Sequence, residues 1–289
     1  MIMTAAVKRV TVVGAGAMGR QIAMLSALGG FETKLHDLDE TVLSQAEHEL
    51  QGRMADWEKK QKISAEAVET AFSQLTLMTS LKDAVADADV VIEAVVEKLD
   101  VKQKVFEQLD AFAPAETVLA TNSSTIVNSK LAEVTNRPAQ VCNMHFFYPP
   151  LVMDCVEVVK SDVTSEETAA KALAVCDAMN RSGFLLHKEI EGFVANRLLF
   201  ALTNEAMALY EGGYADFEAI DAITKKALKH PLGPFELMDL SGIDVGYYAQ
   251  TAVFNETGRP EDAPSPVLKE KLDRGELGRK SGKGFYTYS

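Results

Sequence analysis

The stretch Asn143-Met-His-Phe-Phe-Tyr-Pro-Pro150 puts one imidazole, His145, at the end of an apolar run, just where two prolines turn the chain. An imidazole there can be a satisfied core residue, a metal ligand or a group that passes a proton near neutral pH, and its spacing alone leaves all three open. A second stretch, Gly14-Ala-Gly16-Ala17-Met18-Gly19, follows a Val-rich run and opens a segment of helical period. Its first glycine suits a tight turn, its second lets the backbone approach a pyrophosphate, and its third lets helix pack on strand with the helix N-terminus facing the phosphates. Roughly twenty residues further on, Asp37 closes the next strand-like run. A carboxylate there accepts hydrogen bonds from ribose hydroxyls and repels a 2′-phosphate, which favours NAD over NADP. Asp39 is a second candidate acid, better suited to capping the helix that follows.

The elements that must position these groups alternate short Val/Ile-rich runs with longer segments of helical period, the pattern of βαβ units. Strands are expected over 9–14, 32–37, 75–79, 89–95, 117–121, 141–148 and 155–160. Between Leu38 and Leu75 lies about twice the chain that one crossover helix needs, so a helical hairpin over about 40–74 is expected to stand off the sheet. From Gly192 onward the apolar residues recur at three- and four-residue spacing, with no further strand pattern. The chain therefore reads as α/β: a Rossmann-like, mostly parallel sheet over residues 1–190 with an inserted helical hairpin, then an all-α domain over 191–289.

The chain has 289 residues, 47 % hydrophobic and 25 % charged, as ordinary globular domains do. Its apolar runs are cut by carboxylates well short of the roughly 20 residues that cross a bilayer. A strand begins almost at once after MIMTAAVK, which leaves no room for a leader peptide, and a cytoplasmic location is expected. The net charge of -13 disfavours nucleic acid, though a local basic patch can still meet one phosphorylated ligand. Cys142, Cys155 and Cys176 are odd in number and lack CxxC spacing, so they read as reduced core residues. The five histidines are scattered without ligand spacing, and no metal is expected.

In order along the chain stand GAGAMG, VVIEAVVEKLDVKQKVF, TNSSTI, MHFFYPP, VEVV, GFVANR, HPLGPFELMDLSGID and GRKSGKGFY. This series resembles the L-3-hydroxyacyl-CoA dehydrogenase family, of the 3-hydroxybutyryl-CoA dehydrogenase type, over nearly the whole chain. The resemblance implies reversible, NAD-dependent oxidation of an L-3-hydroxyacyl-CoA, with His145 as general base and Glu157 as the acid that orients it. It implies that Ser124 and Asn196 hydrogen-bond the substrate oxygen. Glu97, Lys102 and Lys280 become cofactor contacts beside the glycine loop and Asp37. Asn122, at a strand's carboxyl edge, is expected near the nicotinamide. Arg53 and Lys60, with Lys59 and Lys62 around them, are expected to meet the phosphates of coenzyme A. Without the resemblance, Ser124 reads as a turn residue, Asn196 as a helix-face polar group, and Glu97, Lys102 and Lys280 as solvated charges. A homodimer through the helical domain is the family expectation, in keeping with the apolar stripe from Phe193 to Leu209.

Three positions depart from the family's pattern. Tyr148 replaces an asparagine that helps seat the nicotinamide, Asp154 stands where a lysine is common, and Glu191 replaces a proline. The expectation is an active enzyme with an altered acyl pocket or cofactor affinity. Two rivals are a same-scaffold dehydrogenase of a non-CoA hydroxy acid, of gulonate or carnitine type, and a non-catalytic NAD-binding protein.

Overall fold

The structure is a computed structural model and describes residues 7–260 and 263–288. The expectation about a leader peptide bears on residues 1–6, which lie outside the described residues. The chain divides into two compact units, the first running to Phe193 and the second from Val194.

The first unit is built on eight strands: β1 (Arg9–Val13), β2 (Glu32–His36), β3 (Leu75–Met78), β4 (Val90–Glu93), β5 (Val118–Thr121), β6 (Val141–Phe146), β7 (Val156–Val159) and β8 (Gly183–Leu186). Their order across the sheet is β3-β2-β1-β4-β5-β6-β7-β8. Every neighbouring pair is parallel except β6 and β7. Central strands read as near-continuous Val/Ile/Leu because both sheet faces are covered. Successive residues Val90, Val91 and Ile92 alternate between two apolar cores, one with Ile22 and Leu50, the other with Phe106 and Leu109.

The helices of this unit are α1 (Gly19–Leu28), α2 (Glu40–Lys59), α3 (Ala65–Gln74), α4 (Leu81–Val85), α5 (Leu99–Phe112), α6 (Ser129–Ala132) and α7 (Glu166–Ala178). The inserted hairpin is α2 and α3. Asp39 caps α2 by accepting from Thr41 N at 2.8 Å, and Ser64 caps α3. On α2, Leu43, Ala46, Leu50 and Met54 are buried at helical spacing, while the opposite face is polar.

Several details differ from the expectations. Strand β8 was not foreseen: GFLL is short, lies at the sheet edge and lacks alternation. The strand expected over 141–148 stops at Phe146, because Pro149 and Pro150 have no N–H to continue a ladder. Cys142 and Cys176 are free core thiols that burial pushes up to about 12, but Cys155 is only half-buried.

The second unit comprises α8 (Ala195–Glu211), α9 (Phe217–Ala227), α10 (Pro234–Ser241), α11 (Ile243–Thr257) and α12 (Pro266–Asp273). Its apolar residues meet in a core of Met207, Ile220, Phe235, Met238, Leu268 and Phe285. The stretch 236–258 has one helical period, yet the chain breaks at Gly242, whose φ of 102° a side chain would resist. Two buried aspartates fasten this unit. Asp221 accepts from Phe235 N, Glu236 N and Tyr286 Oη at 2.8, 3.0 and 2.8 Å. Asp239 repeats the pattern on Phe285 N, Tyr286 N and Tyr288 Oη, each at 2.9 Å. Among the described residues no helix is long and apolar enough to cross a membrane.

Candidate active site

The glycine loop joins β1 to α1, and its three glycines separate cleanly by what a side chain would meet. Gly14 has φ 103°, and a Cβ there would lie 2.7 Å from Ala94 O; at Gly19 it would lie 1.8 Å from Gly14 O. At Gly16 a Cβ would touch nothing within 4 Å. The fold thus requires Gly14 and Gly19, whereas the space over Gly16 is open for a ligand. Ala17 and Met18 complete the turn into α1, which begins at Gly19. Asp37 holds the loop from the end of β2, its Oδ2 accepting from Ala15 N at 2.8 Å. Beside it, the buried His36 has Nε2 3.2 Å from Thr79 O, which can only accept, and its Nδ1 has no partner. Burial pulls its pKa down, so the ring is neutral.

A second cluster lies at the carboxyl ends of β4 and β5. Glu93, wholly buried, accepts from Val95 N and from Lys102 Nζ at 2.7 Å each, and from Thr121 Oγ1 at 2.7 Å. Lys102 is 1 % exposed, which overturns its reading as a solvated charge. Its Nζ also lies 3.2 Å from Glu97 Oε2. Glu97 in turn grips the serine turn: it accepts from Ser123 Oγ, from Ser124 N at 3.1 Å, and from Thr125 N and Oγ1 at 3.3 and 3.1 Å. Burial pushes this carboxyl up, but Lys102 and the hydroxyl donors outweigh it and hold it below its ordinary value. Asn122 bridges outward, its Oδ1 accepting from Phe146 N at 3.0 Å, next to His145. Glu93 and Ser123 were missed in the sequence, although a carboxylate inside the run VVIEAVV was a signal.

His145 and Glu157 face each other as a register pair of the antiparallel β6–β7 ladder. His145 Nδ1 is 2.8 Å from Glu157 Oε2, and the residues are 5 % and 3 % exposed. A carboxylate only accepts, so Nδ1 carries the hydrogen, and in the neutral tautomer Nε2 has the lone pair. Phe147 and Phe193 flank the imidazole, with ring centroids at 4.5 and 5.4 Å. The arrangement is one that can take and return a proton.

The first unit brings together His145, Glu157, Asn122, Ser124, Glu97 and Lys102 at the carboxyl end of its central strands. Asn196 and Lys280 belong to the second unit. Asn196 lies in the first turn of α8, and Lys280 Nζ pairs with Asp244 at 2.5 Å. On the hairpin, Arg53 is half-buried and Lys60 is exposed and paired with Asp56 at 2.8 Å. The departures at Asp154 and Glu191 have local work: Asp154 accepts from Ser182 N at 2.7 Å at the start of β8, and Glu191 pairs with Lys130 at 3.2 Å. Tyr148 is 63 % exposed.

A doubly wound sheet with an open second glycine, a carboxylate at the end of its second strand and a buried imidazole–carboxylate pair defines a dinucleotide-dependent oxidoreductase. Comparison with known proteins makes the class specific. Residues 9–190 match the model for the 3-hydroxyacyl-CoA dehydrogenase NAD-binding domain, and 192–288 match that family's C-terminal domain. This chain belongs to the 3-hydroxyacyl-CoA dehydrogenase family and uses NAD. It is 35 % identical to a probable 3-hydroxybutyryl-CoA dehydrogenase of Bacillus subtilis, over 98 % of each chain. The crystal structure of (S)-3-hydroxybutyryl-CoA dehydrogenase PaaH1 from Ralstonia eutropha is 33 % identical and superposes with a TM-score of 0.91, covering 98 % of this chain and 100 % of that one. A diketoreductase structure, described by its catalysis on dicarbonyl compounds, is 34 % identical with a TM-score of 0.89, over 98 % and 100 % of the two chains.

Proposed function

We propose that this chain interconverts a short L-3-hydroxyacyl-CoA, such as 3-hydroxybutyryl-CoA, and its 3-oxoacyl-CoA, with His145 moving the hydroxyl proton. The observation that carries this reading is the 2.8 Å contact between His145 Nδ1 and Glu157, both buried, at the end of a dinucleotide-binding sheet. NAD, when bound, supplies the hydride acceptor at its nicotinamide. During oxidation His145 Nε2 takes the proton from the C3 hydroxyl as the C3 hydride departs and the carbonyl forms. Glu157 fixes the ring tautomer and stabilises the imidazolium that results. The Ser124 hydroxyl donates to the C3 oxygen and favours its developing charge. Gly14, Gly16, Gly19 and Asp37 seat the dinucleotide, with Asn122 as a further contact. Glu97 and Lys102 are further cofactor contacts, Glu97 also holding the serine turn and Lys102 holding Glu97.

Arg53 and Lys60 meet the phosphates of coenzyme A. The Lys60–Asp56 pair is exposed, worth little in water, and readily exchanged for a phosphate. A homodimer through the helical unit accounts for its exposed Leu198, Ile223 and Tyr248, and three free thiols fit a reducing cytoplasm.

The test is consumption of NADH with acetoacetyl-CoA, for the parent and for His145→Gln and Gly16→Ala. Turnover by the parent and its collapse in His145→Gln are expected. Gly16→Ala should fold normally but bind NADH at least about tenfold more weakly, because its methyl group occupies open ligand space. Equal or faster turnover of a free dicarbonyl compound would move the assignment to a non-CoA substrate.

A further inference from the structure

The serine turn is held from a second side by groups that the site description above does not use. Asn143, in β6, is wholly buried. Its side-chain Nδ2 donates to Ile126 O at 3.0 Å and reaches Ser123 O at 3.5 Å, the two ends of the turn that carries Ser124. Its Oδ1 accepts from Asn128 Nδ2 at 3.0 Å. Asn128, equally buried, also donates to Val159 O at 3.1 Å. Val159 pairs with Asn143 in the same ladder in which Glu157 pairs with His145. Thr164 Oγ1 closes the network on Val141 O at 2.7 Å and lies 3.3 Å from Asn128 Oδ1. Both amide orientations follow from their partners, since each nitrogen faces carbonyl oxygens that can only accept.

Filling space does not require these amides. An apolar pair would occupy the same volume without desolvating four polar atoms, so what the amides add is direction. They tie one turn to one height on two strands, and those strands carry the imidazole and its carboxylate. Glu97 grips the same turn through Ser123 Oγ and the amides of Ser124 and Thr125.

We propose that Asn128 and Asn143 are positioning residues: their amide pair sets the height of the Ser123–Ile126 turn, and with it Ser124, against the strands that carry His145 and Glu157. The proposal rests on the dehydrogenase reading for its catalytic meaning. A displacement of about 1 Å in such a group can cost on the order of a hundredfold in rate. Neither asparagine needs to touch substrate to have this effect.

The test compares the parent with Asn128→Ala, Asn143→Asp and Thr164→Val, using acetoacetyl-CoA and NADH deuterated at the transferred position. Asn143→Asp keeps the shape and the acceptor for Asn128 but turns an oxygen toward the carbonyls of Ser123 and Ile126. The expected result is a tenfold or greater loss of kcat in the asparagine variants and a smaller loss in Thr164→Val. NADH affinity should change by less than about twofold, and the deuterium isotope effect on kcat should rise as hydride transfer becomes slower. Hydrogen exchange over 122–127 should quicken while β1 and α1 keep the parent's protection. A residue that merely supports the fold would lower the active fraction and leave the isotope effect at the parent's value, and that result overturns the proposal. Unchanged exchange over 122–127 overturns it as well. If Asn143→Asp does not fold, Asn128→Ala and Thr164→Val decide the same question. If the parent turns over no 3-oxoacyl-CoA, the dehydrogenase reading fails, and the exchange comparison alone decides whether the amide pair holds the turn.

Discussion

The two units bury carboxylates in opposite ways. In the first, Glu93 faces the Lys102 ammonium and Glu157 faces an imidazole, so each acid has a partner whose charge is fixed or can change. In the second, Asp221 and Asp239 face only neutral donors, each taking two consecutive backbone amides and one tyrosine hydroxyl. Saturated by neutral donors, an acid fastens segments together. Set against a group with a spare lone pair, it can tune a proton. The difference explains why both kinds of site are buried, yet only one has the makings of chemistry.

The largest expected effect that sharpens this contrast is His145→Gln, which should lower kcat by roughly 10²–10⁴-fold while leaving NADH binding and thermal stability near those of the parent. Spectrophotometric turnover and a binding titration check it; a normal kcat would break the comparison at its first term. Asp239→Asn should do the converse. It turns an N–H toward backbone amides and should cost about 3 kcal/mol of stability, read by chemical denaturation, while the pH profile of the remaining activity keeps its shape.

Tyr286→Phe removes one of three donors to Asp221 and should cost about 1 kcal/mol. Burial, outweighing those donors, holds the Asp221 carboxyl above its ordinary value. The folded state therefore keeps this proton more tightly than the unfolded chain, and stability falls as pH rises from the ordinary carboxylate range through the raised value. Losing the hydroxyl raises it further, so denaturation should show a larger loss at neutral pH than near pH 4. Glu97→Gln should show the smallest size, because that carboxyl is partly exposed and screened. Its depressed value contributes stability above the ordinary range that is lost as pH falls through the folded value. Parent and variant should therefore differ at neutral pH and converge in acid. A loss in Glu97→Gln that persisted undiminished in acid would break the link between that carboxylate's charge and the stability of its turn.

Much of the first unit was legible in the sequence because its signals are local. Val/Ile runs, the glycine spacing and the Asp39 cap each act within a few residues, and the surplus of chain before Leu75 announced the hairpin. The pairings that hold the site were not legible. Asn128 meets Asn143 and Val159 across 15 and 31 residues, and Asp239 meets Tyr286 N across 47. Periodicity reports which face of an element is apolar, not which distant polar group lies opposite. Lys102 is a cofactor contact by the resemblance and a solvated charge without it, and only the fold brings Glu93 beneath it. Gly242 was passed over because apolar spacing continues through it, while the break depends on a positive φ that spacing does not encode. Asp154 and Glu191, which depart from the family's pattern, hold the start of a strand and a loop through partners 28 and 61 residues away.

The single antiparallel step in the sheet has a consequence for how the molecule assembles. Across β6 and β7, His145 and Glu157 are twelve residues apart in the chain, joined by the short loop 147–155. The parallel neighbours must wait for longer crossovers, whose closure costs more chain entropy. The imidazole and its carboxylate can therefore meet as a local hairpin early in folding, whereas the dinucleotide loop acquires its Asp37 and Ala94 walls only when separate crossovers have docked. The imidazole–carboxylate half of the site is thus joined by local contacts, and the glycine-loop half depends on distant ones.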